Sequence, residues 1–553
     1  MNDKKSYFIG LTVFLLIAIA FRSGGVVEHV PEIFLKCAGA AVIYMAMYLL
    51  VFSLSPWKMS LCWLGLPLLI FSASWLRWYW AAVLTPVWFF ALYRTCCADS
   101  FHYRRGHSVE GFLWGAIVVL CWVYLSGAGG YGQQTADYVM HNGRLEDLVN
   151  YSWPVNYTQG IMLDSSQTPS KNSLLVSYSG YYLPAALFGK IFGLRFAMEF
   201  MHYWTLLGCW LAYRWLLEIT QVKSSMLLAA VFVAFGGWDI AGSFLICIKA
   251  CQDSGVDIAN SISVILSNPD VSLTWIDSEL GRILETSYFF GDFVSLTNSL
   301  FWDPHQTIAG WIIIGLLLAI WRDNNFKQII FVYSLLALWA PMIILGLVIF
   351  PLVIIMQGRM LAMRQAASFE NIAGGLMVVF VMGLYYLSAT ALTNPMGFVF
   401  FDEGYKGFIW LLAFNFFGWG VYSFSLYPCI KKMDSVWKGF FYTICATFFM
   451  LSCIKYGSYN DLMIRNSAPL MFGLVIIFLK SIDFLISNNK KLHAAFLVFV
   501  MLPGVISSIV NVGSSLANYE ERIPGESVVN YVGGWQFLGS TDSLYVRIFS
   551  APL

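Results

Sequence analysis

Long apolar runs, joined alternately by short basic turns and by a few long polar loops, set the pattern of this 553-residue chain. Runs long enough to cross a hydrocarbon core of roughly 30 Å lie near residues 7–22, 32–54, 59–76, 78–95, 112–127, 196–217, 226–248, 306–321, 372–392, 407–427, 437–454, 467–486 and 492–512. The run 329–356 is too long for one comfortable span and contains Pro341 and Pro351, so it predicts two short helices or a re-entrant pair. Lys4 and Lys5 ahead of 7–21 imitate a signal peptide, yet no convincing small-residue cleavage site follows, which predicts a retained first helix. The expected fold is all-α: one integral membrane domain over 1–553, a helical bundle of about 13–15 spans.

If the spans alternate, Lys4/Lys5, Arg104/Arg105, Lys223, Arg322/Lys327, Arg359/Arg364, Lys431/Lys432 and Lys490/Lys491 all fall on one side. The positive-inside rule makes that side cytoplasmic, with the N-terminus, and places the C-terminus on the outer, periplasmic side of a bacterial plasma membrane. The outer side then receives a first large loop at 128–180, a second at 249–305, shorter ones at 393–406 and 455–466, and a tail at 513–553. Loops this long are uncommon unless they are functional or disordered. Their Trp, Tyr and Phe content argues for folded structure over the membrane surface. Segment 181–193 is apolar with an aromatic edge and Pro184, and topology leaves no room for it to cross, so it predicts an interfacial helix.

Composition agrees: 59% of residues are hydrophobic and 11% charged, far from the roughly 25% charged content of soluble domains. A net charge of +1 without a basic run excludes an electrostatic nucleic-acid binder. The eleven cysteines form no ligand or redox spacing and read as small buried hydrophobes.

Polar chemistry gathers where spans open outward. In Ser126–Asn142 the glycines Gly127, Gly129, Gly130 and Gly132 allow sharp turns and close approach to main-chain amides, and Gln134, Asp137, His141 and Asn142 follow. Asp137 and His141, at i and i+4, share a face if 134–148 is helical. A carboxylate there can act as general base or hold a divalent cation beside a phosphate. Glu146 and Asp147 read as ordinary polar face. Lys190 faces the lipid phosphates or snorkels; Glu199 and His202 form an i, i+3 pair; Asp239 sits among Gly236, Gly237 and Gly242 inside a span. In Phe301–Trp311, Asp303 reads as a helix cap and Pro304 as the first turn, placing His305 and Gln306 at a helix N-terminus that favours anions. Asp461 and Arg465 open another span, either as a salt bridge or with the guanidinium reading a phosphate.

The order of Gly-rich exit, Gln134, Asp137, Asn142, Trp153-Pro154, Tyr182–Lys190, Asp303-Pro-His-Gln306 and Asn460-Asp461-x-x-x-Arg465 resembles a group of bacterial polytopic envelope proteins similar to the GT-C superfamily of membrane glycosyltransferases. The resemblance covers roughly residues 110 to 480. It implies a polyprenyl-phosphate-linked sugar donor used on the outer face, an acidic loop residue acting as base or metal ligand, and an interfacial helix after it; Asp137 and 181–193 match those roles by position. The superfamily usually carries its acid in the first external loop, often as a pair, whereas Asp137 follows the fifth span and is itself followed by Tyr138. The expected activity is inverting glycosyl transfer to a surface glycan or lipid-linked acceptor, with Asp137 and His141 catalytic. Gln134, Asn142, Lys190, Asp239, His305, Gln306, Asp461 and Arg465 would bind substrate, and membrane lipids would be partners. A flippase of lipid-linked sugars and an O-antigen polymerase are the alternatives.

Overall fold

The computed structural model describes residues 55–98, 109–158, 172–222, 224–238, 295–390, 396–398, 408–409, 411–456, 460–517, 525–531 and 534–552. The expected spans at 7–22 and 32–54, Lys223, Asp239 and all but the end of the 249–305 loop lie outside them.

The described chain is mostly helical. Helices α1 (Pro56–Trp75), α2 (Trp78–Cys97) and α3 (Val109–Tyr124) precede the Gly-rich exit, and α4 (Asp137–Asn150) follows it. Next come strands β1 (Asn156–Tyr157) and β2 (Ser173–Leu175), then α5 (Leu183–Phe192), α6 (Leu194–Thr220) and α7 (Ser225–Ala234). The short α8 (Leu296–Trp302) leads into α9 (Pro304–Asp323). The apolar run beyond is broken ahead of Pro341 into α10 (Phe326–Leu338) and α11 (Pro341–Ala366), but α11 runs for 26 residues with Pro351 inside it rather than forming the second of two short helices, and α12 (Glu370–Leu387) returns. Strand β3 (Met396–Phe398), α13 (Val421–Ile430), α14 (Ser435–Ser452), β4 (Ile454–Tyr456), α15 (Asp461–Ser487) and α16 (Lys491–Ala517) complete the bundle. The tail adds β5 (Leu538–Ser540) and α17 (Leu544–Ile548).

Among the described residues six helices are long and apolar enough to cross a membrane: α1, α9, α11, α12, α15 and α16. Helix α9 is apolar all round and buried from Pro304 to Trp321, as a bundle's central helix must be. Helices α11 and α16, by contrast, leave Leu352, Met356, Phe496 and Phe499 exposed. Aromatic stacking fills the interior. Trp63 lies 4.1 Å from Trp339 and 5.2 Å from Trp204, and Trp122 lies 5.8 Å from Trp311.

One pole of the bundle carries a cap that the pattern of apolar runs did not show. The tail is not an appendage: β5 pairs antiparallel with β2, Ser173 opposite Ser540, and β2 pairs with β1, so the C-terminus and the first large loop share one sheet. The end of α12 joins it, with Thr390 N–H donating to Leu538 O at 2.9 Å. Arg77 and Trp80, where α2 begins, donate to the carbonyls of Ser550, Val546 and Ile548. Alternation of hydrophobicity is weak in strands of two or three residues, which is why the sheet is illegible in the sequence.

Candidate functional site

Three chain segments, joined by Asp461 and Arg465 of α15, build a polar cluster beneath this cap. The first is the Gly-rich exit and α4. Gly129 has φ +75°, and a Cβ there would lie 2.6 Å from Met198 O; Gly132 has φ +77°, with Leu125 backbone 2.6 Å from its would-be Cβ. Only glycine fits a left-handed turn pressed this closely against backbone. The turn is pinned by Tyr138 Oη donating to Ser126 O (2.7 Å) and Gln134 Nε2 donating to Gly127 O (2.8 Å), while Asn142 Nδ2 donates to Gln134 Oε1 (3.2 Å). These contacts give Gln134 and Asn142 a clear role in locking the loop onto α4. Helix α4 then presents Asp137, His141 and Arg144 at i, i+4 and i+7, along one face.

The second segment is the α8–α9 junction. Asp303, where α8 ends and α9 begins, is the hub: its carboxylate meets His305 Nδ1 at 2.7 Å and forms a very short ion pair with Arg465 Nη1. Its side chain caps no backbone N–H, so the helix-cap expectation gives way to this bridging role. Arg465, on α15, also lies 3.8 Å from Asp461. Thus the two readings of Asp461 and Arg465 coexist: they pair, and the guanidinium faces the cluster.

The third segment is 177–182, between β2 and α5. Tyr178 stacks on His305 at 4.8 Å with rings 7° apart, and Tyr182 Oη meets His141 Nδ1 at 2.5 Å. His141 Nε2 reaches Trp302 O at 3.2 Å, and the two imidazoles lie edge to face at 5.1 Å. Gln306 Nε2 is 3.4 Å from His305 Nε2, while Gln306 Oε1 is buried without a hydrogen-bond partner among the described residues.

Electrostatics follow from burial and these neighbours. Burial pushes the Asp137 carboxyl above its ordinary value; Arg465 and Arg144 pull it back, and Asp303 and Asp461 push it further up. Asp303 goes the other way. Burial would raise it, but Arg465, His305 and His141 outweigh that and hold it well below the usual carboxylate range. His141 is driven well below its ordinary value by burial, His305 and Arg144, and is neutral.

Arg144 is a site residue that the residue types alone did not reveal. It is fully buried, between Phe537 (4.3 Å), Tyr178 (4.8 Å) and Tyr182 (5.1 Å). Desolvated cation–π contacts of this kind are worth about 2 kcal/mol each. Among the described residues none of its three nitrogens makes a well-formed hydrogen bond, although the Tyr178 hydroxyl lies near enough to favour the charge. Its i+7 spacing from Asp137 was the available signal; Phe537 had none.

Three residues stand apart from this cluster. Lys190 donates to the carbonyls of Tyr151 (2.5 Å) and Val149 (3.2 Å) and lies over Trp153, so it caps the C-terminal end of α4. Asp147, read as polar face, is buried and accepts from Tyr157 Oη (2.6 Å), Val528 N–H (2.9 Å) and Ser527 Oγ (3.1 Å), tying the tail to α4. Glu199, paired with Tyr131 Oη at 2.5 Å, supports the Gly-rich turn. Among the described residues no three His, Cys, Asp or Glu side chains are grouped to hold a metal ion, and Asp137 has two arginines in electrostatic reach. No metal-dependent step is therefore drawn.

Comparison with protein-family models, curated proteins and solved structures finds no match to this chain.

Proposed function

We propose that this is a membrane glycosyltransferase that moves a sugar from a polyprenyl-phosphate-type donor to a surface glycan or lipid-linked acceptor, at the outer face of a bacterial plasma membrane. The observation that carries the reading is convergence. Asp137, His141, Asp303, His305 and Arg465 come from three distant segments to one pole of an apolar bundle, and two arginines lie within electrostatic reach of the half-buried Asp137. A membrane protein retains such a cluster for chemistry, since ionisable groups in or beside apolar surroundings are expensive. Asp137, with its carboxyl raised by burial, is suited to accept the proton of an acceptor hydroxyl as the hydroxyl oxygen attacks the anomeric carbon. The bond to the phosphate oxygen breaks as that attack proceeds. Arg465, held in place by Asp303, stabilises the negative charge that develops on the leaving phosphate.

The test is transfer from a radiolabelled polyprenyl-phosphate sugar by the full chain in nanodiscs. Wild type is expected to transfer label and Asp137→Asn to lose at least 100-fold in rate at normal expression. Equal rates would remove Asp137 from the chemistry. One observation favours a second reading, flipping of lipid-linked sugar: the break between α10 and α11 touches the 177–182 segment, with Gly180 N–H donating to Leu338 O at 2.9 Å, and broken helices are common in transporters. Lipid movement across vesicles that persists in Asp137→Asn would support it.

A further inference from the structure

Arg144 carries a charge without a matching contact. A guanidinium offers five N–H donors in one plane, and here three aromatic rings surround it while the Tyr178 hydroxyl beside it is too poorly placed for a well-formed hydrogen bond among the described residues. A buried charge without a hydrogen-bonded partner is costly. The acids within electrostatic reach make no hydrogen bond to it: Asp303 is engaged by Arg465 and His305, and Asp137 acts on it only through space. An oxyanion, whose paired oxygens match the fork of donors, is the chemistry that a guanidinium so enclosed recognises best.

The walls differ in how they are held. Tyr182 is fixed by its hydroxyl on His141, and Tyr178 by its parallel stack on His305. Phe537 meets Tyr178 only edge to face at 5.7 Å. It belongs to a single short turn, Gly534–Phe537, ahead of the three-residue strand β5, and its own carbonyl accepts from Val176 N–H. All three guanidinium nitrogens are shut off from solvent, so a ligand reaches them by displacing a wall, and Phe537 is the wall with the fewest ties.

We propose that Arg144 anchors a phosphate group of the substrate in a site that Phe537 closes, an inference that rests on the reading above of a phosphate-bearing lipid donor. The phosphate could belong to a prenyl lipid or be free, and the experiment separates these sources. Binding of farnesyl phosphate and of inorganic phosphate to the full chain in nanodiscs is measured by calorimetry and stopped-flow tryptophan fluorescence. Farnesyl phosphate is expected to bind wild type, and Arg144→Gln to weaken it at least tenfold. Arg144→Lys keeps the charge but not the fork, is the variant best placed to fold, and is expected to weaken binding severalfold. Phe537→Ala is expected to speed association without abolishing it. Binding within twofold of wild type in a folded Arg144→Gln or Arg144→Lys protein overturns the anchor, as does Arg144→Met that melts higher and binds equally well. Arg144-dependent binding of inorganic phosphate alone upholds the anchor and removes the lipid donor. Transfer lost in Asp137→Asn with phosphate binding untouched in Arg144→Gln keeps the transferase and removes the anchor.

Discussion

At the scale of single residues, the site is governed by how two carboxyls are pushed in opposite directions. Asp137 is raised by burial, so its proton leaves above the ordinary carboxylate range, and a rate that needs it as base rises with pH through that shifted value. Arg144→Gln removes a cation that lowers Asp137, so the acid limb of kcat in the surviving activity is expected to move to higher pH; a pH–rate profile checks this. Asp303 is depressed, so the stability it contributes is present above the unfolded carboxylate pKa and is lost as pH falls through its lower folded value. Asp303→Asn removes the closer of Arg465's two carboxylates, leaving Asp461 at 3.8 Å, and is expected to lower the melting temperature in detergent. Asp137, His141, His305, Asp461 and Arg465 were readable as ionisable groups beside membrane openings. Asp303 was readable only as a cap, because proline after an acid has the same signature whether the carboxylate bonds to backbone or to a distant arginine. Arg144 was hidden because burial of a charged residue depends on what the rest of the chain lays over it.

At the scale of elements, long apolar runs declared themselves: the expected spans at 59–76, 306–321, 467–486 and 492–512 correspond to α1, α9, α15 and α16. The run 329–356 parted ahead of Pro341 into α10 and α11, while Pro351 was absorbed within α11, as Pro67, Pro469 and Pro503 are within their helices. Segment 181–193 formed the short helix α5, with Ile191 and Phe192 exposed on one face and Ala185, Ala186 and Gly189 buried on the other. What the pattern could not convey is how α4 meets the tail. Gly143 lets Glu526 backbone approach so closely that a Cβ would stand 1.7 Å from its carbonyl oxygen, and Glu526 N–H donates to Val139 O at 3.2 Å. Backbone cannot yield as a flexible side chain can. Gly143→Ala is therefore expected to destabilise by at least about 1–3 kcal/mol and to release residues 525–531 to protease; an unchanged cleavage pattern would contradict the packing.

At the scale of the whole molecule, the bundle is a scaffold whose apolar length is readable from hydropathy, while its cap is built from contacts between the two halves of the chain. A chain ending at Ala517 retains all six helices among the described residues that are long enough to cross a membrane but lacks β5, Phe537 and the Ser527–Val528 partners of Asp147. It is expected to insert, to melt at lower temperature and to lose transfer; full activity in the truncated chain would show that the cap is dispensable. The pairing of Ser173 with Ser540 also sets a timetable for synthesis. Helix α4 and β2 are made before β5 and Phe537, so the edge of β2 and the aromatic cover of Arg144 are completed only once residues 534–540 exist. The cage around Arg144 therefore closes only after the helices that precede it in the chain have been made, and a chain lacking 534–540 is expected to leave that guanidinium open on one side.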